Sequence, residues 1–157
     1  MIYKTIIKLR SAILVYLTHK LALPFLKLVR KPEVFPYSAV ELQAFPQGSL
    51  GNDLVSFLQK KELDLLPYYT KHDIKHILLG YDTTDEGEVC LQCFMMGNRH
   101  FSFPVVATVL YGLLTMPEHW SSFRVAFKRG RECSSISDWK WFEILHCPTL
   151  QLKAMIN

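Results

Sequence analysis

The chain has 157 residues and a formal net charge of +4, with half of its residues hydrophobic and a fifth charged. This length suits one domain, and so apolar a composition excludes long disordered stretches. The charge is unevenly placed, because residues 1–31 hold seven basic residues and no acid, whereas the other 126 hold eleven basic and fourteen acidic residues. The basic residues are interleaved with Ile, Leu and Val, which favours an anionic membrane surface and argues against a nucleic-acid partner.

Residues 1–31 form an apolar, basic segment, and we expect one helical domain over residues 32–157. The longest uncharged run of the segment, Ser11–His19, has nine residues, whereas a transmembrane helix needs about 20. Pro24 divides the segment, and the part after it has the pattern of an amphipathic helix. Two interpretations stay open, a helix in contact with the membrane and a helix packed on the domain. The two faces of that helix would carry Phe25, Leu26, Leu28 and Val29 on the apolar side, and Lys27, Arg30 and Lys31 on the basic side.

Capping and turn residues divide the domain into short helices, and strand-like alternation is scarce. Thr70, with Asp73 three residues later, has the spacing of a capping box. Gly80 and Gly97 are predicted helix stops. The sequence therefore predicts an all-α fold. The predicted helices are one from Ser49 to about Lys61, one over Lys71–Leu79, one over about Glu86–Met96, one from Ser102 to Pro117, one that ends at Gly130, one that opens at Ser137-Asp138 and carries Trp139, Trp141 and Phe142, and one that begins near Pro148.

The four cysteines do not form a disulfide framework in a chain of this length. Cys90 and Cys93 lie within a helical pattern beside Leu91 and Phe94. We therefore expect both to be small buried residues, in preference to redox or zinc-binding groups. Free cysteines also indicate a reducing compartment.

Histidine and acidic residues follow the spacing of a metal site. His72 and His76 lie four residues apart on a predicted helix, so both imidazoles project from one face. Asp73 lies about 100° round the same helix, and eleven residues separate His76 from Glu88 on the next predicted helix. Two imidazoles with one or two carboxylates suit Zn²⁺, and also Mn²⁺ or Fe²⁺. The residues alone leave another interpretation open, in which the histidines bind no metal and Asp73 is only a helix cap.

The spacing His72-Asp73-x-x-His76, eleven residues, Glu88 resembles the motif of the ubiquinone (coenzyme Q) biosynthesis family known as Coq-four. The resemblance covers roughly residues 38–157. Two features depart from the family pattern: the interval from Gly51 to His72 is short, and Lys153 stands where the family has Arg. Further matching segments are Phe45–Gly51, His76–Gly80, Gly87–Val89, Gly130-Arg131, Asp138-Trp139, and Pro148 with Leu150, Leu152 and Lys153.

The resemblance implies an all-helical protein of ubiquinone biosynthesis in which His72, Asp73, His76 and Glu88 bind one divalent metal. We expect zinc, with manganese and iron as alternatives. The implied substrate is a polyprenyl-benzoate whose ring carboxyl is replaced by a hydroxyl in an oxidative decarboxylation. The sequence assigns no catalytic base. The alternative is a non-catalytic lipid-binding scaffold that organises a quinone-biosynthesis complex, so the sequence leaves open whether the chain is an enzyme.

The resemblance also implies partners and a location. The partners would be an isoprenoid quinone precursor or another lipid, a membrane surface and other quinone-biosynthesis proteins. Exposed apolar helices are also compatible with a homodimer. The location would be peripheral to the membrane on its reducing side, at the cytoplasmic face in a bacterium or the matrix side of the mitochondrial inner membrane in a eukaryote. A prenyl tail needs an apolar groove, and its candidate residues, which equally suit a core, are Leu78, Leu91, Phe94, Met95, Val105, Val106, Val109 and Leu110.

Overall fold

The computed structural model describes Leu9, Arg10, Ala12, Ile13, Tyr16 and residues 34–157. Over this part of the chain the structure contains helices and turns but no strand, which confirms the all-α prediction. The amphipathic helix predicted after Pro24 lies outside the described residues. The helices are α1 Ala39–Gln43, α2 Leu50–Lys60, α3 Thr70–Leu79, α4 Asp85–Gly97, α5 Phe103–Thr115, α6 Trp120–Glu132 and α7 Thr149–Ile156, with a 3-10 turn at Pro117–His119.

The chain forms two compact units. The first unit comprises the described part of Met1–Pro32 together with Thr83–Arg131, and it contains α4, α5 and α6. The second unit comprises the described part of Glu33–Asp82 together with Glu132–Asn157, and it contains α1, α2, α3 and α7. Each unit has its own buried apolar residues.

The second unit is organised around the start of α2. The Ser49 hydroxyl accepts a hydrogen bond from the Asn52 N–H at 3.4 Å, which confirms Ser49 as the N-cap. Two further N–H groups at this helix start donate to the closing segment of the chain, because Leu50 N–H bonds Cys147 O at 3.0 Å and Gly51 N–H bonds Leu145 O at 2.8 Å. These bonds satisfy donors that a helix N-terminus leaves open.

The helix predicted to open at Ser137-Asp138 is absent, and that prediction was wrong. Residues 133–147 form turns, and the next helix begins only after Pro148. The carbonyl groups of Leu145 and Cys147 accept hydrogen bonds from the start of α2, as described above. They therefore form hydrogen bonds with another helix and not within their own segment. Of its three aromatic residues, Phe142 still contributes to the core, since it is buried and packs edge-on against Phe35 with ring centroids 5.0 Å apart.

The beginning of α3 also differs from its prediction. Tyr69 already has helical dihedral angles, with φ −104° and ψ −14°, and no side chain caps the helix. The Thr70 hydroxyl donates to Leu66 O at 3.1 Å, so the predicted capping box of Thr70 and Asp73 was wrong. The turn before Tyr69 leads directly into the helix and leaves no extended N-cap position. The predicted stop is confirmed, because Gly80 has a left-handed φ of 75° and its N–H bonds His76 O at 2.9 Å.

Two glycines of the first unit lie where α4 and α6 meet. α4 ends at Gly97, as predicted, whereas Gly130 lies inside α6, two residues before its end, so the stop predicted at Gly130 was wrong. A Cβ on Gly97 would collide with the backbone of Phe127, and a Cβ on Gly130 with the backbone of Phe94. The two glycines therefore let the backbones of α4 and α6 approach closely, and the Asn98 side-chain amide donates to Gly130 O at 3.0 Å in the same contact.

The N-terminal segment makes one well-defined contact through a described residue of the first unit. The Arg10 guanidinium donates to Thr115 O at 3.2 Å and pairs with the Glu118 carboxylate, while the Tyr111 hydroxyl donates to Arg10 O at 2.8 Å. Arg10 thereby attaches to the end of α5. Among the described residues, no helix has both the length and the apolar content needed to cross a membrane.

Candidate metal centre

The two histidines of α3 face each other. The Nε2 atoms of His72 and His76 lie 3.0 Å apart, and the ring centroids are separated by 4.6 Å. His76 is buried and His72 is half-buried. The four-residue spacing therefore brings both imidazoles together at one face of the helix, as the sequence predicted.

The backbone after the helix fixes the orientation of His76. Its Nδ1 lies 2.9 Å from Tyr81 O, and a carbonyl oxygen can only accept, so Nδ1 carries a proton and donates. In the neutral ring Nε2 then holds a lone pair and accepts a hydrogen bond from Nε2–H of His72. A histidine that donates one ring N–H to a carbonyl and presents its other nitrogen is the arrangement found around metal ions. Gly80 makes this possible, because its left-handed conformation brings the Tyr81 carbonyl back towards the helix.

Glu88 completes a group with the two histidines. The possible ligand atoms of His72, His76 and Glu88 all lie within 4.8 Å of one another. Ligands bound at about 2.0–2.2 Å to one ion can be at most about 4 Å apart. The 3.0 Å between the histidine nitrogens lies inside that limit, and no separation in the group is longer than 4.8 Å. Two nitrogens and a carboxylate therefore fit a divalent ion of the zinc, manganese or iron type.

Asp73 is not brought into this group of ligand atoms. Its side chain is buried, with 9% exposure. The residue lies near Tyr69, since burial first and the charge of Asp73 second raise the pKa of the Tyr69 hydroxyl to about 12. Of the four predicted ligands, the structure thus brings three together. The fourth, Asp73, follows His72 in the sequence and is buried.

Lysines occupy another side of α3. Lys71 Nζ lies 5.0 Å from the ring centroid of Phe142, and Lys75 Nζ lies 5.6 Å from that of Trp141. Burial first and the charge of Lys71 second lower the pKa of Lys75 to about 8. These contacts place α3 against the turns of residues 133–147 and hold the helix that carries the histidines.

A cavity of about 450 Å³ lies in the second unit, against α2 and the end of α3. This volume is within the usual range of small-molecule sites, about 300–1,000 Å³. His76 forms part of its wall, and the half-buried Phe57 ring lies nearly parallel to the His76 ring, at 15° with centroids 6.3 Å apart. The cavity was not predicted from the sequence, nor was a role in the site for Phe57 or Tyr81. The Gly80 stop was the one sequence feature that pointed to a tight turn beside His76.

The other candidate residues have simpler surroundings. Cys90 and Cys93 are buried free thiols, which confirms the prediction for them, and burial followed by the charge of Cys90 raises the pKa of Cys93 to about 12. Six of the eight candidate groove residues are buried in the core, whereas Val106 and Leu110 are exposed on α5. Lipid binding by these residues stays a prediction.

Comparison with known proteins gives one informative likeness. The chain matches no family model and no curated protein. Its fold is similar to that of a solved structure from Nostoc punctiforme, of a protein described as a candidate ubiquinone biosynthesis protein. The two are 18% identical with a TM-score of 0.65, and the match covers 96% of this chain and 80% of the other. At this identity the likeness shows a shared all-helical fold.

Proposed function

We propose that this chain is a metal-binding protein of ubiquinone biosynthesis that acts on a prenylated aromatic acid. The observation that carries the proposal is the gathering of His72, His76 and Glu88, with His76 oriented by the Tyr81 carbonyl. The fold likeness to a candidate ubiquinone biosynthesis protein supports the pathway, and the resemblance to the Coq-four motif supports the substrate class. Asp73 belongs to the proposed ligand set as its fourth ligand and second carboxylate, next to His72 in the sequence.

The proposed reaction replaces the ring carboxyl of a polyprenyl-benzoate by a hydroxyl, with release of CO₂ and consumption of an oxidant such as O₂. A bound divalent metal would supply a Lewis acid for the carboxylate or the adjacent phenol oxygen. The residues of the chain set the position of that chemistry. The Tyr81 carbonyl holds the His76 ring, and the half-buried Phe57 ring covers part of the cavity wall beside it.

We also propose that the protein works at the surface of an anionic membrane, on its reducing side. Seven basic and no acidic residues among positions 1–31 support this location. Co-sedimentation with vesicles that contain acidic phospholipid tests it, with neutral vesicles as the control. Binding that appears only with acidic lipid and falls as salt rises is the expected result. Equal recovery with both vesicle types, or none with either, would contradict the location.

Elemental analysis of the purified protein tests the metal site directly. The variants are His72→Ala/His76→Ala and, as a control outside the group, His100→Ala. We expect about one Zn, Mn or Fe per chain in the native protein and in the control. We expect no metal in the double variant, with its helical circular dichroism unchanged. Absence of metal from all three proteins after reconstitution would refute the metal site and leave a lipid-binding scaffold as the better account.

Turnover of a prenylated benzoate separates the enzyme from the scaffold. The native, metal-loaded protein should release CO₂ from such a substrate, and His76→Ala should lose that activity while it stays folded. A metal-loaded protein that binds the lipid but shows no turnover in the presence of oxidant would support the scaffold. Mass spectrometry of lipid extracted from the purified protein identifies the bound molecule in either case.

A further inference from the structure

We infer that Lys60 and Lys61 form an anion-binding subsite of the cavity in the second unit. Its ligand is an anionic oxygen group, carboxylate or phosphate, on an aromatic or prenylated body. The chemical identity of that body rests on the proposed function, whereas the existence of the subsite rests on the cavity itself. The subsite would position the charged end of a ligand whose ring lies along the cavity wall.

The two lysines lie where α2 ends, and both line the cavity. Both side chains are exposed, and neither forms an ion pair with any residue that the structure describes. Lysines at a helix C-terminus also interact favourably with the helix dipole, which by itself would explain their presence there. That simpler account does not explain why both lysines lie on the wall of a cavity to which His76 also belongs.

The charges along the α2 wall are separated. Asp53, which also lines the cavity, precedes Lys60 by seven residues, or about 10 Å along a helix. The basic end of this wall therefore lies about two turns from its acidic residue. A second acidic residue, Asp82, lines the cavity beyond the end of α3. On the α2 wall, an anion at the lysine end would gain two cations and lie away from Asp53.

The wall next to the lysines is aromatic. Phe57 precedes Lys60 by three residues, so the two are neighbours on one face of α2, and Lys61 follows as the residue at which the helix ends. The Phe57 ring in turn lies nearly parallel to the ring of His76. Along the cavity wall, the order is therefore the two lysines, the Phe57 ring and then His76, a candidate metal ligand. This order suits an aromatic ligand whose ring contacts Phe57, whose anionic group faces the lysines and whose other ring oxygen faces His76.

Calorimetric titration with benzoate, inorganic phosphate and neutral benzyl alcohol tests the subsite. The variants are Lys60→Ala/Lys61→Ala, the conservative Lys60→Arg/Lys61→Arg, and Arg124→Ala/Arg131→Ala, which removes two exposed charges of the same sign from α6. Loss of a charge-assisted contact is worth about a tenfold change in Kd. We expect that loss for an anionic probe in the alanine variant of the lysines only, with affinity kept in the arginine variant.

The pattern across probes identifies the ligand. Tighter binding of benzoate than of phosphate assigns the subsite to a carboxylate, and the reverse assigns it to a phosphate. Equal anion affinity in the native protein and in Lys60→Ala/Lys61→Ala would overturn the proposal, as would benzyl alcohol binding as tightly as benzoate. Metal content measured on the same samples separates the two proposals. Lysine-dependent anion binding in protein without metal refutes the metal centre alone, and metal binding with lysine-independent anion affinity refutes the subsite alone.

Discussion

His76 is fixed at both nitrogens of its ring, by the Tyr81 carbonyl at Nδ1 and by His72 at Nε2. The first contact depends on one backbone conformation, the left-handed turn at Gly80. Any other residue at this position would be strained, although the space beside it is open. The orientation of the candidate metal ligand is therefore encoded outside the histidines themselves.

Gly80→Ala should lower both stability and metal affinity. A left-handed conformation costs a non-glycine residue about 1–2 kcal/mol, and loss of a supporting contact to a metal ligand lowers affinity about 10- to 100-fold. Gly48→Ala is the matched control, because Gly48 has nearly the same φ, 77° against 75°, and equally open space. Both variants should lose similar stability in urea unfolding, and only Gly80→Ala should lose metal affinity. Equal metal affinity in both variants would show that the Tyr81 carbonyl does not support the site.

The residues of the site could be predicted from the sequence to different extents. His72 and His76 share a helix, so the helical repeat alone brings their rings together. Tyr81 contributes through its backbone carbonyl, which no side-chain pattern reveals. Phe57 contributes because α2 packs near α3, and such a tertiary neighbour leaves no trace in local spacing. The candidate ligands could therefore be predicted from the sequence, whereas the groups that orient and surround them could be found only in the structure.

Among the helices, local capping patterns could be predicted from the sequence, whereas contacts distant in sequence explain the helix wrongly predicted at Ser137-Asp138. Ser49 and Ser38 satisfy helix donors a few residues away, and local patterns of this kind can be read from sequence. Ser38 and Glu41 form a complete capping box for α1, a Ser-x-x-Glu pattern that would have predicted this missed helix. By contrast, the carbonyl oxygens of Leu145 and Cys147 accept hydrogen bonds from N–H groups at the start of α2, so the segment before α7 could not be predicted from its own residues.

The capping box makes the contribution of Glu41 depend on pH. Hydrogen bonds from the Ser38 N–H and then from its hydroxyl, both at 2.7 Å, lower the pKa of Glu41 from its ordinary value of 4.5. Because the folded pKa is the lower one, the stabilisation is present above pH 4.5 and is lost as the pH falls through the folded value. We expect the difference in urea midpoint between the native protein and Glu41→Gln to shrink on acidification below that pH.

The control for this pH dependence is Asp64→Asn, at an exposed carboxylate outside the capping box. Measured from neutral pH to about pH 3, this variant gives the effect of removing an exposed carboxylate that takes no part in the box, against which Glu41→Gln is compared. A Glu41→Gln difference that stays constant over the same range would show that the capping hydrogen bonds do not contribute to stability.

The close approach of α4 and α6 should be sensitive to a single methyl group. Gly130→Ala places a Cβ against the Phe94 backbone, which cannot yield as a side chain would. Overpacking of this kind costs about 1–3 kcal/mol. Ser121→Ala on the exposed side of the same helix is the control, for which a change within about 0.5 kcal/mol is expected. Thermal and urea unfolding of both variants checks the prediction, and equal stability would mean that the helices separate at little cost.

The net charge of the protein differs between the N-terminal segment and the rest of the chain. The basic excess lies within residues 1–31, while the remaining residues are acidic overall. Arg10 is one of these basic residues, and its contacts with Thr115 and Glu118 show that at least one is engaged by the first unit. The proposed membrane contact therefore does not depend on Arg10, whose guanidinium is engaged within the first unit.

The metal should stabilise the whole fold, because its candidate ligands come together only in the folded chain. His72 and Glu88 are sixteen residues apart in the sequence, yet their ligand atoms lie within 4.8 Å. A ligand that binds only the folded state adds about 2.7 kcal/mol at a concentration 100 times its Kd. For a chain of this size each kcal/mol raises Tm by about 2–4 °C. Thermal unfolding with and without Mn²⁺ or Zn²⁺ should therefore show an increase of about 5–10 °C, which a chelator reverses.

Two neighbouring acids of α4 separate this effect from general charge neutralisation. Glu88→Gln should abolish most of the increase in Tm, because it removes the carboxylate of the group. Glu86→Gln removes an acid from the same first helical turn, one that lies 3.2 Å from His119 and outside the group, and it should keep the increase. An increase of equal size in both variants would mean that the metal stabilises the protein from another position. Loss in Glu88→Gln alone would assign the stabilisation to the three residues that the fold gathers.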